Sequence, residues 1–289
     1  MNKSLELLVV INSILLGIGI IAMAVVFVKF GGPSALIGGG KIIKQISVDN
    51  AISLKSMIQY QNSLTYRIYS KEFCDIDSIN KIVFLGNSIT RKRVIPEIGW
   101  FSNYGMAASC KERDYCHVIE STLEMKNPNL RIDIGDMVPW ERNFAIDKDS
   151  LLGGVIDDSV DVVIIRLGEN VPGDSVGKLD VAMRGLIDYI EEKTDAKIIM
   201  TGCFWTSWAK DAKMRMVAAE RDIPFVTLDY LDIDANKALN GGDAVDTTGV
   251  RYHFDGEFVG THPNDNGMRG IADALLPLFG VSPSGKEIN

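Results

Sequence analysis

Residues 81–90 read KIVFLGNSIT. Ile82, Val83, Phe84 and Leu85 form a short, unbroken apolar run rich in β-branched and large side chains, the pattern of a strand buried on both faces. Gly86 ends the run and lets the backbone turn sharply. Asn87, Ser88 and Thr90 follow, small and polar, at the carboxyl end of the strand, where open α/β sheets place their chemistry. Two readings of this turn stand side by side. In one, Ser88 caps the next helix. In the other, the turn exposes Ser88 as a reactive hydroxyl.

Two later stretches bear on the choice. Residues 160–171 read VDVVIIRLGENV, a second buried strand followed by Gly168-Glu169-Asn170. Residues 260–268 read GTHPNDNGM, a histidine before a proline turn and then a helix. Between and around them apolar strands alternate with amphipathic helices. Helices are expected at 115–126, 181–193, 208–221 and 268–278, and strands at 82–85, 130–134, 160–167, 197–201 and 224–228. Such alternation calls for a five-stranded parallel sheet with helices on both faces.

The three blocks together resemble the SGNH (GDSL-type) hydrolase family. GNSIT is similar to its first block, with Asn87 where many members carry aspartate; GEN is similar to its third block and HPNDNGM to its fifth. The resemblance spans residues 79–280. It implies a three-layer, flavodoxin-like α/β sandwich and a serine ester hydrolase that needs no cofactor. Residue by residue, it implies Ser88 as nucleophile and His262 as its base. For the oxyanion it implies the Ser88 N–H, a glycine N–H and the Asn170 side chain. Chain order favours Gly135 as that glycine, with Gly105 second.

The sequence contains only three histidines. His117 sits at a helix start beside Cys116 and reads as structural. His253 lies in the polar stretch 251–257, expected to be a surface loop. One departure from the family is plain: the aspartate that many members have three residues before the histidine is here Val259. Either a backbone carbonyl orients the base, giving a Ser–His dyad, or Asp255 or Glu257 folds back to do so.

The connection 91–116 contains Trp100, then Tyr104-Gly105-Met106-Ala107-Ala108-Ser109, then Asp114-Tyr115, as in a subgroup of the family. Trp100 and Tyr104 have two readings, a sugar-stacking wall or packing that holds the loop down. Four cysteines permit disulfides if the body is exported, and Cys110 with Cys116 is open to either a bridge or a free pair. Cys110, Cys116 and His117 lack a fourth ligand at zinc spacing, so no metal site is expected.

Residues 7–28 carry no charge, and that length is enough to cross a bilayer as a helix. The run continues past Ala22-Met23-Ala24, which favours an uncleaved signal anchor over a cleaved leader. Residues 31–40 (GGPSALIGGG) read as a flexible tether. The expected organisation is therefore an anchor at 1–30, a linker and extension at 31–78, a hydrolase domain at 79–282 and a tail at 283–289. Lys29, Lys41 and Lys44 beyond the run favour a cytoplasmic body by the positive-inside tendency. Secreted members of the family argue for an extracytoplasmic one, which is the expectation adopted.

The chain has 289 residues and a net charge of −8, and its hydrophobic fraction of 46% excludes a disordered chain. After residue 44 there are 26 basic against 37 acidic residues, which disfavours nucleic acid as a partner. The leading function is a membrane-tethered esterase acting on an acylated glycan or small ester, most simply a deacetylase. O-acyl transfer to a glycan and non-catalytic glycan binding are the alternatives.

Overall fold

The computed structural model describes residues 73–281. The anchor, the tether, the extension as far as residue 72 and the tail lie outside the described residues. Among those described, no helix is long and apolar enough to cross a membrane.

The first strand, β1 (Lys81–Gly86), is the organising element, and its residues from Ile82 to Gly86 are all buried. It is followed by α1 (Tyr115–Glu124), β2 (Arg131–Asp136), α2 (Val138–Arg142), α3 (Lys148–Leu152) and β3 (Val162–Ile165). Then come α4 (Leu179–Lys193), β4 (Lys197–Thr201), α5 (Trp208–Glu220) and β5 (Phe225–Val226). A hairpin of β6 (Gly242–Val245) and β7 (Arg251–Phe254) precedes α6 (Asp265–Leu275). The main sheet has five strands in the order β2-β1-β3-β4-β5, and every pairing is parallel. This is the flavodoxin-like order, with its switch point between β1 and β3.

Side-chain alternation along β1 builds the two faces. Ile82 and Phe84 join Val162, Ile164 and Ile199 in one core, under α1 (Ile119, Leu123) and α6 (Ile271, Leu275). Val83 and Leu85 join Val163, Ile165 and Ile198 in the other, under α4 (Met183, Ile187) and α5 (Met214, Val217). The result is three layers. Cys74, Ile76 and Ile79, just ahead of β1, are buried in the first of these cores.

Several elements differ from the sequence expectation. α6 begins at Asp265 rather than Met268, because the Asn264 side chain accepts the N–H groups of Asn266 (3.0 Å) and Gly267 (3.1 Å) and so caps the helix. β2 continues through Gly135 and Asp136, pairing them with Leu85 and Gly86. The stretch 251–257 is not a plain surface loop: 251–254 form β7, antiparallel to β6. The turn joining them is held by the Asp246 carboxylate, which accepts from the backbone N–H groups of Thr248 and Val250, each at 2.8 Å.

Candidate active site

The turn after β1 is closed by its own backbone. The Asn87 carbonyl accepts from the N–H groups of both Thr90 and Arg91 at 2.9 Å. A Cβ on Gly86 would lie 1.8 Å from Thr90 Oγ1, so only glycine lets the chain fold back this closely. Asn87, Ile89 and Thr90 are buried while Ser88 is half-buried. The turn therefore presents the serine and hides its neighbours. From the 105–108 segment, Met106 N–H donates to the Ser88 carbonyl at 2.9 Å and fixes the turn from the other side.

His262 is brought to this serine across the molecule. Its Nε2 lies 2.9 Å from Ser88 Oγ. Its Nδ1 lies 3.0 Å from the carbonyl oxygen of Val259. A carbonyl can only accept, so Nδ1 carries the proton and Nε2 is left as the acceptor for the serine hydroxyl. The His262 backbone N–H donates to the same carbonyl at 3.0 Å, so a single buried oxygen sets both the main chain and the ring. Trp205 packs edge-on against the ring with centroids 5.1 Å apart, and its Nε1–H donates to the Thr261 carbonyl at 2.8 Å. Burial pushes the imidazole pKa down to about 4, and the positive Arg166 works in the same direction.

Asp255 and Glu257 are exposed, and the Nδ1 position they would occupy is taken by Val259. Asp255→Asn and Glu257→Gln are each expected to leave kcat within about tenfold of wild type, a change of only about 1.4 kcal/mol. Steady-state kinetics on a chromogenic ester checks this. A loss as deep as that of His262→Ala in either variant would make that acid the orienting group. His253 lies on exposed β7 with its Nδ1 3.0 Å from Asp243, and His117 lies in the first turn of α1, where the Asp114 cap accepts its backbone N–H at 2.9 Å and meets its Nδ1 at 2.7 Å.

The two glycines differ from the expectation. Gly135 is not in a loop beyond the second strand. It sits inside β2 opposite Leu85, and a Cβ there would approach Leu85 Cδ2 to 2.7 Å. Gly135 is thus a packing position in the sheet, because β2 runs on further than its apolar pattern. Gly105 lies beside the turn, where a Cβ would come 2.6 Å from the Ile89 carbonyl, but its N–H donates to Asp114 Oδ2 at 3.1 Å. Ala107, two residues on, adopts a left-handed φ of 74°.

Trp100 and Tyr104 are buried, at 0% and 4% exposure, so they form no open wall for a sugar. Their rings pack edge to face with centroids 5.6 Å apart, and Trp100 also meets Tyr252 and Phe254 of the hairpin. Cys110 and Cys116 are not joined, and Cys116 is fully buried.

Asn170 follows β3, half-buried at the same end of the sheet. Its Nδ2 donates to Glu141 Oε2 at 2.7 Å. Glu141, on α2, is itself fully buried and also accepts from Gly168 N–H at 2.6 Å, Asn170 N–H at 3.3 Å and Asn87 Nδ2 at 3.2 Å. The second Asn87 donor contact runs to Glu169 Oε2 at 2.7 Å. Arg166, at 0% exposure, completes the cluster. Its Nη1 meets Glu169 Oε1 at 2.5 Å, its Nη2 bonds Asn87 Oδ1, and its Nε reaches Thr90 Oγ1 at 3.3 Å. Burial pushes the Glu141 carboxyl above the usual range, and the neighbouring Glu169 adds to this. Burial works on Glu169 in the same way, but Arg166 and the donors around it outweigh that and hold its carboxyl below the ordinary value.

Neither Glu141 nor Arg166 stands out in the sequence as a site residue. One signal was present for Arg166: a lone arginine closing an apolar strand run has to be paired when buried.

A scan against protein-family models finds no match, and a search of curated proteins finds none. Several solved structures are similar. LAE5, an alpha/beta hydrolase enzyme from the metagenome of Lake Arreo, is 19% identical with a TM-score of 0.47, over 70% of this chain and 95% of LAE5. Axe2, an acetylxylan esterase from Geobacillus stearothermophilus, is 17% identical with a TM-score of 0.45, over 73% and 98% of the two chains. An extracellular lipase from Streptomyces rimosus is 15% identical with a TM-score of 0.41, over 68% and 98%.

Proposed function

We propose that this chain is an SGNH-type serine ester hydrolase acting on an acylated glycan or small ester, most simply removing acetyl groups. The observation that carries the reading is the 2.9 Å contact between Ser88 Oγ and His262 Nε2, on a ring whose other nitrogen is held by the Val259 carbonyl. A serine hydroxyl is a weak nucleophile until a base accepts its proton. Neutral His262 is built to accept it. Oγ attacks the ester carbonyl while the proton passes to Nε2. The imidazolium then protonates the leaving alkoxide, and the acyl group stays on Ser88. Water, activated by the same nitrogen, releases the acid and restores the serine.

The developing oxyanion needs donors. The Ser88 N–H at the turn and the Asn170 carboxamide are assigned to it. Asn170 Nδ2 has two hydrogens, of which Glu141 takes one. Ser88, His262 and Asn170 are all less than fully exposed, at one end of a parallel sheet, where a bound ester would be partly shielded from water. No step calls on a cofactor. The apolar run at 7–28 is proposed to anchor the protein to a membrane with the catalytic domain on the extracytoplasmic side.

The test is direct. The full-length protein is offered p-nitrophenyl acetate and acetylated xylo-oligosaccharides, and released acetate is measured with and without a deacetylated acceptor. Acetate release that is lost in Ser88→Ala supports the reading. Acetyl transfer to the acceptor in place of release would make the protein an acyltransferase. No turnover of any ester by folded wild-type protein would overturn the hydrolase.

A further inference from the structure

We propose that Glu141 is the positioning residue of this site: a buried carboxylate on α2 that aims the Asn170 carboxamide and ties the two catalytic turns together. The inference rests on the hydrolase reading above, since the oxyanion role of Asn170 belongs to it.

The geometry is unusually complete for one side chain. Glu141 accepts from Gly168 N–H (2.6 Å), Asn170 N–H (3.3 Å), Asn170 Nδ2 (2.7 Å) and Asn87 Nδ2 (3.2 Å). Three of these donors converge on Oε1 and the Asn170 carboxamide meets Oε2, so both oxygens of the carboxylate are engaged. The donors come from both sides of the switch point. Asn87 is in the turn after β1, next to Ser88, and Gly168 and Asn170 are in the turn after β3. Glu141 comes from a third place, the short helix after β2. One group therefore fixes the relative placement of the nucleophile's turn and the oxyanion donor. It does so by accepting only, which leaves one Nδ2–H of Asn170 for substrate.

The shape of the β3 turn fits this role. Gly168 has a left-handed φ of 127°, and a Cβ there would strike Cys203 Sγ at 2.6 Å. That conformation turns the Gly168 N–H to Glu141 Oε1 and brings Asn170 round to the second oxygen. On the far side, Asn87 is held at its own oxygen by Arg166 and at its nitrogen by Glu169. The asparagine's orientation is thus determined at both ends, and its remaining N–H contact is the one to Glu141.

Glutamine is nearly the same size as glutamate but cannot replace it here. If its oxygen faces Gly168 and Asn87, its NH₂ group faces Asn170 Nδ2, donor against donor. The reverse orientation sets the NH₂ group against the Gly168 N–H. Asn170 escapes the first clash only by flipping its carboxamide, which turns its oxygen to Gln and withdraws the aimed N–H. Leaving a buried donor without its acceptor is costly.

The experiment is a double-mutant cycle on the full-length protein, read with p-nitrophenyl acetate. Asn170→Ala is expected to lower kcat by about 10²–10³ with little change in KM. Glu141→Gln is expected to fall into the same range. The double variant should lie within about threefold of Asn170→Ala, because the two residues act as one unit. Multiplying losses, or a kcat for Glu141→Gln within about threefold of wild type, would overturn the proposal. Should Glu141→Gln fail to fold, Glu141→Asp keeps the charge and draws the acceptors back by one methylene. A loss of about tenfold or more in kcat is then expected, and wild-type kcat would overturn the proposal.

A readout without substrate separates this claim from the function itself. In ¹⁵N-asparagine-labelled protein, the side-chain amide pair absent from Asn170→Ala identifies Asn170, and that pair is expected to shift in Glu141→Gln or Glu141→Asp. If the wild type hydrolyses no ester but the pair shifts, the hydrolase reading fails and the positioning contact stands. If esters are hydrolysed and neither the pair nor kcat responds, the positioning claim fails alone.

Discussion

Replacing His262 with alanine is expected to lower kcat for ester hydrolysis by about 10⁴-fold or more, with the fold retained. Among the described residues, the ring is the group placed to take the Ser88 proton, at 2.9 Å. Its environment also sets how activity should follow pH. Burial pushes the imidazole pKa down to about 4, with no carboxylate on Nδ1 to raise it. The base works only when neutral, and a lowered pKa keeps it neutral further into acid. The acid limb of kcat/KM, which reports the free enzyme, should therefore have its midpoint near 4 and not near the ordinary histidine value of about 6.5. Folding stability should respond with the opposite benefit. Between those two values the unfolded chain takes up a proton that the folded chain refuses, so stability falls as pH drops through that window. A buffer series with a chromogenic ester, alongside thermal melts at each pH, measures both. A midpoint at 6.5 or above would mean that the ring is solvated or paired with a carboxylate.

The largest effect on stability is expected at Arg166. Its guanidinium is fully buried and bridges Glu169, Asn87 and Thr90, while the Glu169 side chain is itself only 1% exposed. Arg166→Met removes the cation and leaves that carboxylate buried and unpaired. Breaking a buried pair in this way costs about 3–5 kcal/mol. Arg166→Lys should recover only part of it, because a point charge cannot reproduce the fork that meets three partners. Urea unfolding monitored by tryptophan fluorescence gives the difference. A loss under about 1 kcal/mol for Arg166→Met would show that Glu169 does not depend on the arginine.

Much of this architecture was legible from β1 outward. The unbroken run from Ile82 to Leu85 marks a strand with two buried faces, and β3 repeats the pattern, so a parallel sheet follows from apolar patterning alone. Polar-rich elements were not legible. β6 and β7 read GDAV and RYHF, and in them only Ala244 and Phe254 are buried. Their pairing depends on Asp246 closing the turn and on Trp100 packing against Tyr252 and Phe254. The same contacts explain why Trp100 lies inside.

At the site, Ser88, Asn170 and His262 stand out by type and position, and the loss of an acceptor side chain at Val259 is visible. What replaces it is not, because a main-chain carbonyl carries no residue signature. Gly135 looked like a loop residue because β2 loses its apolar character before it ends. Glu141 was hidden for another reason. A single acid on a short helix looks solvent-facing until the turns it holds are known.

The central claim is that Ser88 is a nucleophile activated by His262. It is tested most directly by treating the folded, full-length protein with a fluorophosphonate and locating the adduct by peptide mass spectrometry. The account predicts stoichiometric phosphonylation of Ser88, slowed greatly in His262→Ala and absent in Ser88→Ala. An adduct on any other residue, or folded wild-type protein that takes up no label, would contradict it.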